Sequence, residues 1–168
     1  PKGVVNIITG FADTCSKLLT SHPKINKIAF TGGVHTAKHI VRNSAENLSQ
    51  ISLELGGKSP VVVFKDARKN NAINGIMASI FGAGGQSCIA GSRLYLQEEI
   101  YDEYLEELKN RVEEIEIGDP LSTTTQLGPL ATLNQLQNIE EKIKQTKELG
   151  GKIITGGNKV DKFKNGYY

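Results

Sequence analysis

Apolar and polar positions fall in short blocks along this chain, and their spacing switches repeatedly between the two-residue period of a strand and the 3.6-residue period of a helix. VVNII at 4–8 reads as a short buried strand running into the turn Thr9-Gly10, after which Ala12-Asp13 caps a helix with Cys15, Leu18 and Leu19 on one face. Pro23 ends that helix. IAF at 28–30 is a strand, TGG at 31–33 a glycine turn, and a second helix runs from about His35 to Glu46. ISLEL at 51–55 gives another strand, Gly56-Gly57 a break, and Pro60 opens VVVF, an uninterrupted apolar run of the kind buried on both faces. The spacing of Ala72, Ile73, Ile76, Ile80 and Phe81 predicts a helix over 67–81 that stops at Gly82-Ala83-Gly84-Gly85. RLYL at 93–96 is a strand, and 98–115 a helix with Ile100, Tyr104, Leu105, Leu108, Val112 and Ile115 inward. After the break at Gly118-Asp119-Pro120 comes a helix carrying Leu133, Leu136, Ile139, Ile143 and Leu149, capped by Gly150-Gly151. KIIT at 152–155 is a last strand and the remainder a polar loop.

Strand, glycine turn and helix therefore recur, which predicts an α/β fold with a parallel sheet. With 168 residues the chain has the size of one ordinary domain, one core or parts of two. Its 38% apolar and 23% charged content is that of a soluble protein, and no apolar run approaches the roughly 18 to 20 residues of a membrane helix. Twenty basic against 18 acidic residues leave a net charge of +2, scattered without a basic stripe, which speaks against a nucleic-acid partner. Cys15 and Cys88 stand 73 residues apart, with no CxxC and no histidine at ligand spacing. No disulfide framework or metal site is expected, and a reducing, cytoplasmic setting fits. No secretion signal is legible. Pro1-Lys2-Gly3 reads as mid-chain turn and Gly166-Tyr167-Tyr168 as an abrupt stop, so the expectation is an internal stretch of a longer chain.

Three places hold candidate chemistry. Glycines after a buried strand let backbone approach a ligand closely, and a following helix N-terminus offers N–H groups to an anion such as a pyrophosphate. Phe30-Thr31-Gly32-Gly33 has that context, although it is not GxGxxG and a plain turn would look the same. GAGGQSC at 82–88 presents a lone cysteine on a glycine loop with the small Ala90, Gly91 and Ser92 behind it. If local N–H dipoles face the sulfur, its thiol pKa falls and a nucleophilic thiolate becomes available; otherwise Cys88 simply packs. Glu54 is a carboxylate near the end of an apolar strand. Burial there would raise its pKa and suit a general base, whereas an outward-facing glutamate would be ordinary. Cys15, sharing a face with Leu18 and Leu19, reads as packing, and His22, His35 and His39 as solvated histidines.

Taken together, LELGGKSP at 53–60 and GQSCIAGSR at 85–93 resemble the two signature segments of the aldehyde dehydrogenase superfamily, and AFTGG at 29–33 resembles its cofactor-loop motif. Order and spacing agree, with Glu54 and Cys88 34 residues apart. The resemblance extends from PKGVVNI to the closing GYY and implies an NAD(P)-dependent, hydrolytic enzyme that oxidises a small-molecule aldehyde to the acid. It implies that Cys88 is the nucleophile and Glu54 the base that activates water. Gly32 and Gly33 would line the pyrophosphate, and Leu55 and Gly56 would pass the nicotinamide. The family commonly has serine where Gly33 stands, so one hydroxyl contact to phosphate is expected to be missing. Residues 1–57 would be the end of a Rossmann-type NAD(P)-binding domain and 58–168 the start of the catalytic domain, both incomplete, since family chains are much longer and homo-oligomeric. An isolated piece of this kind is expected to be inactive and marginally folded. Two rival readings are a CoA-acylating aldehyde dehydrogenase, which can dispense with the base, and a non-catalytic relative kept for structure or binding. Choice of aldehyde lies in pocket residues, many of them outside this stretch, and that of NAD against NADP in a ribose-binding segment outside it.

Overall fold

The alternating segment KIAFTG folds into a strand, β1 (Lys27–Gly32), which pairs in parallel with β2 (Gln50–Leu55) in the register Lys27 to Gln50 through Gly32 to Leu55. Parallel partners cannot be joined by a tight turn, and α2 (Val34–Ser44) supplies the crossover. Its buried residues Ala37, Ile40 and Ser44 recur at helical spacing on one face. The computed structural model describes residues 1–160, 162–163 and 165–168. Contacts gather the chain into two units, Pro1–Gly57 and Lys58–Tyr168.

Ahead of β1, a π-helical turn at Ala12–Ser16 runs into the short α1 (Lys17–Ser21), which stops before Pro23 as expected. The Thr20 hydroxyl fastens this element, donating to the Ser16 carbonyl at 2.7 Å while accepting from Asn43 Nδ2 of α2 at 3.0 Å. Asn47 Nδ2 adds a bond to the His22 carbonyl at 2.8 Å. VVNII at 4–8 is not a strand: among the described residues nothing pairs with it, and Val4, Val5, Ile7 and Ile8 are 66–89% exposed. Apolar alternation makes a strand only where a neighbouring ladder takes up its N–H and C=O groups.

The second unit repeats the first unit's logic. β3 (Pro60–Val63) and β4 (Arg93–Leu96) pair in parallel, Pro60 with Arg93 through Val63 with Leu96, across the crossover helix α3 (Lys69–Phe81). The helix expected over 98–115 begins as a 3₁₀ turn at Glu98–Ile100 and continues as α4 (Tyr101–Glu113). Val63, Ile73, Ile76, Tyr104 and Leu108 form the core, with Val61, Leu94, Leu96 and Ile100 packed against them. VVVF is buried on one face only, because α3 and α4 contribute the core on the side of Val61 and Val63 while Val62 and Phe64 point the other way and are exposed. Lys69 Nζ of α3 meets Glu103 Oε1 of α4 at 2.6 Å, and this hydrogen bond holds the ammonium pKa above its usual value. The pair lies in solvent, so it orients the helices more than it stabilises them.

The last helix, α5 (Leu133–Glu148), starts where the Thr132 hydroxyl accepts the Gln135 N–H at 3.2 Å and ends before Gly150, whose φ of +87° suits glycine. Leu136 is buried, whereas Leu133, Ile139 and Leu149 are exposed. KIIT at 152–155 does not form a strand; Ile153 and Ile154 are exposed and no ladder among the described residues accepts them. The polar-loop expectation at Asp161 and Lys164 lies outside the described residues. Among the described residues no helix is long and apolar enough to cross a membrane. The α/β class with parallel strands is borne out in both units.

The segment entering β4 is clamped from behind. Gly91 N–H donates to the Ser79 carbonyl of α3 at 3.1 Å, and a Cβ at Gly91 would lie 2.5 Å from both Ser79 Oγ and Val61 Cγ2. Gly91→Ala is therefore expected to destabilise the protein by about 1–3 kcal/mol, as overpacking does, and Gly91→Val by more. Urea unfolding that leaves both variants at the wild-type midpoint would contradict this close approach. Ile73, only 2% exposed, has a different cost: Ile73→Ala should lose about 2–5 kcal/mol by the same measurement, through a cavity between α3 and α4.

Candidate active site

Cys88 owes its position to a backbone that turns the unusual way. After α3 the chain takes left-handed conformations at Ala83 (φ 52°), Gly84 (φ 62°) and Gly85 (φ 72°), closed by a bond from Gln86 N–H to the Ala83 carbonyl at 3.2 Å. Glycine adopts these angles freely, but Ala83 does so at a cost of about 1–2 kcal/mol. The next turn, Ser87-Cys88-Ile89-Ala90, is closed by Ala90 N–H donating to the Ser87 carbonyl at 3.1 Å, with Cys88 at its second position. The thiol is exposed on this loop, which is anchored behind by Gly91. On the other side Gln135 Nε2 of α5 donates to Gln86 Oε1 at 3.4 Å, while Gln135 Oε1 is buried without a partner. The sequence carried no signal for the Gln86–Gln135 contact, which spans 49 positions.

Cys15 is half-buried, with its Cβ 2.8 Å from where a Cβ on Gly10 would stand, but the apolar face expected to pack beside it is open, Leu18 and Leu19 being exposed because nothing among the described residues covers them. The two cysteines thus differ in accessibility, a difference that the local sequence left open for Cys88.

In the first unit, Gly32, Gly33, Leu55 and Gly56 gather at the C-terminal edge of the β1–β2 pair, where open α/β sheets receive ligands. Gly32 faces Leu55 in register, and its missing Cβ leaves room for the Phe30 ring, whose Cζ would lie 2.6 Å away. Gly33 is the N-cap of α2, in extended conformation, with no side-chain cap and no atom within 4 Å of where a Cβ would stand. The first-turn N–H groups of α2 are therefore left to whatever meets them from outside. Glu54 lies opposite Thr31, one residue before Leu55. Its burial is not found in this unit: the alternation in β2 turns Ile51, Leu53 and Leu55 inward and Glu54 outward, and no ion pair holds it among the described residues.

A groove of about 470 Å³ runs between α1 and α2, lined among others by Asp13, Ser16, Lys17, His35, His39 and Asn43. His35 and His39, one helical turn apart, are exposed and meet edge to face with ring centroids 4.8 Å apart. The sequence reading of both as solvated histidines agrees with this exposure. No group of three or more His, Cys, Asp or Glu side chains stands at metal-binding distance among the described residues.

Against known proteins, the profile of the aldehyde dehydrogenase family matches residues 1–168. The chain is 54% identical over its whole length to (Z)-2-((N-methylformamido)methylene)-5-hydroxybutyrolactone dehydrogenase of Acinetobacter baylyi, covering 34% of that protein. It is 39% identical over its whole length to human 4-trimethylaminobutyraldehyde dehydrogenase, covering 35% of it. Among solved structures, PnpE from Pseudomonas sp. WBC-3 superposes over all of this chain and 35% of its own, with a TM-score of 0.96 and 42% identity. PnpE in complex with nicotinamide adenine dinucleotide superposes with a TM-score of 0.93 over 97% of this chain and 34% of its own. The chain thus spans about a third of the length of the relatives it matches. With every residue matched by one profile and the same parallel α/β units in solved relatives, the chain belongs to the aldehyde dehydrogenase family.

Proposed function

We propose that this chain carries the nucleophile and the hydrolytic base of an enzyme that oxidises a small aldehyde to its carboxylic acid with NAD⁺ or NADP⁺. The observation that carries this reading is the exposed Cys88 thiol on a loop fixed at both ends, in a chain matched throughout by the family profile. An aldehyde has no leaving group, so its oxidation requires a tetrahedral alkoxide from which hydride can depart. The Cys88 thiolate attacks the carbonyl carbon and forms that alkoxide as a thiohemiacetal, with the loop backbone offering N–H donors to the oxygen. Bound NAD(P)⁺ supplies the hydride acceptor. Loss of hydride leaves a thioester on Cys88. Glu54 then takes a proton from water, the hydroxide adds to the acyl carbon, and the Cys88 thiolate leaves as the acid is released. The Glu54 carboxylate faces outward, with no ion pair holding it among the described residues, which supports that role.

The residues of the first unit fit a dinucleotide. Gly33 leaves space and uncapped N–H groups at the start of an 11-residue helix, which suits a pyrophosphate, and Gly32 and Gly56 let backbone approach it. With glycine at 33 the phosphate contact comes from backbone alone. Leu55, directly after the base, would bound the nicotinamide end.

In the full-length protein, Cys88→Ala is expected to lower aldehyde turnover by about 10⁴-fold or more while leaving NAD⁺ affinity intact, measured by NADH formation and by calorimetry. Turnover at the wild-type rate would exclude Cys88 as nucleophile. Glu54→Gln should show a different signature in stopped flow: a burst of about one equivalent of NADH, then a steady state slowed by about 10²-fold or more, as loss of a general base gives. An unaltered steady state would remove Glu54 from the mechanism, and release of the acyl group to coenzyme A instead of water would replace hydrolysis by transfer.

A further inference from the structure

Arg93 bonds the strand that leaves the cysteine loop to the chain that follows Glu54. Its guanidinium Nε–H donates to the Lys58 carbonyl at 2.7 Å, and its backbone N–H donates to the Ser59 carbonyl at 3.3 Å, both inside the second unit. Nη1 donates to the Tyr95 hydroxyl at 3.3 Å, with Cζ 5.9 Å from the centre of that ring, so the side chain is braced along the exposed face of β4. Along the sequence, Lys58 follows Glu54 by four residues and Arg93 follows Cys88 by five. Between Leu55 and the clamped carbonyl stand Gly56 and Gly57, and no atom lies within 4 Å of where a Cβ on Gly56 would stand. Among the described residues, the Arg93 guanidinium makes the one side-chain hydrogen bond to residues 56–59. We propose that Arg93 is a positioning residue for hydrolysis of the Cys88 thioester, holding the glycine connection that leads from Glu54.

The inference rests on the roles proposed for Cys88 and Glu54. In the step concerned, water loses a proton to Glu54 and the resulting hydroxide displaces the Cys88 thiolate from the acyl carbon. A base carried on Gly56 and Gly57 has a wide choice of backbone conformations, because glycine admits both signs of φ. Pinning the chain at Lys58 removes the freedom of the residues beyond it, which raises the share of conformations in which the carboxylate meets its water. Cys88 does not need this clamp. Its loop is anchored by the Gly91 N–H on the Ser79 carbonyl at 3.1 Å and by the buried Ala90, so loss of the Arg93 bond leaves attack on the aldehyde and departure of hydride in place.

The test uses the full-length protein with propanal and NAD⁺, reading the NADH burst by stopped flow and the lifetime of the covalent acyl adduct by rapid-quench mass measurement. Arg93→Met keeps an unbranched side chain without a donor, whereas Arg93→Gln places an amide N–H at the same distance from the backbone as the arginine Nε. Arg93→Met is expected to lengthen the adduct lifetime by about tenfold, inside the roughly 10²-fold that a misplacement of about 1 Å costs, and to leave the burst rate within about twofold. Arg93→Gln should return the lifetime toward that of the wild type. In a Glu54→Gln background Arg93→Met should add nothing, since the base it positions is gone. An unchanged lifetime in Arg93→Met, equal slowing by Met and Gln, a burst slowed as much as hydrolysis, or further slowing in the Glu54→Gln background would each overturn the clamp. A wild-type adduct that never forms, or a lifetime unmoved by Glu54→Gln, would instead overturn the roles of Cys88 and Glu54, and this inference with them.

Discussion

Parallel pairing is the constraint on which the rest of this structure depends. A parallel partner can be reached only by a crossover, so each strand pair acquires a helix, α2 between β1 and β2 and α3 between β3 and β4. Those helices create the buried faces, with Ala37 and Ile40 in one unit and Ile73 and Ile76 in the other. Crossovers also have ends, and the candidate chemistry sits at them. Gly32 and Gly33 occupy the start of the first crossover, Leu55 ends and Gly56 follows the strand it returns to, and Cys88 lies where the second comes back toward β4. A hairpin-linked sheet would have had no such loops to offer.

Much of this was legible because periodicity and glycine placement are local signals. The strands at 28–30, 51–55, 60–63 and 93–96 and the helices between them fall where the spacing puts them, within one to three residues at their ends. The misreadings have one physical cause. VVNII and KIIT carry apolar, β-branched residues, but a strand needs a partner whose backbone groups lie outside any local window, and none is present among the described residues. VVVF was misread in the same way: four apolar residues in a row say that both faces can be buried, while α3 and α4 fill only one. For the candidate site, Cys88 and the glycines were legible from motif and loop chemistry. The close approach of Gly91 to Ser79 and Val61 was not, because nothing in GSR predicts which side chains stand behind it.

The exposed apolar residues set this chain apart from a small protein that completes its own core. Val62 and Phe64 on one strand face, the segment from Val4 to Phe11, and Leu149 are all more than half exposed. The described chain is about a third of the length of its matched relatives. Exposed apolar surface of that extent marks an interaction face, and it separates two kinds of residue that composition treats alike. Ile73 and Tyr104 build the core of their own unit; Val62 and Phe64, of the same chemical type, stand outside it.

Positions that break a local rule coincide with the proposed chemistry. Gly33 caps α2 without a side chain where serine or aspartate would close the first turn; the cost is a few tenths of a kcal/mol, and the N–H groups are left for an anion. Ala83 adopts a left-handed conformation that glycine would take without strain, inside the run that delivers Cys88 to the surface. Glu54 breaks no such rule: it alternates outward in a strand whose inward positions are all apolar, an ordinary place for a carboxylate. Neither Gly33 nor Ala83 is explained by the stability of its own unit. Folding consistency is expected to fail where binding or catalysis needs something the fold does not, and here it fails at the helix start and the cysteine loop. Ala83 extends the functional reading beyond the recognised motifs: its strain makes the loop geometry as much a part of the proposed nucleophile as the sulfur it carries.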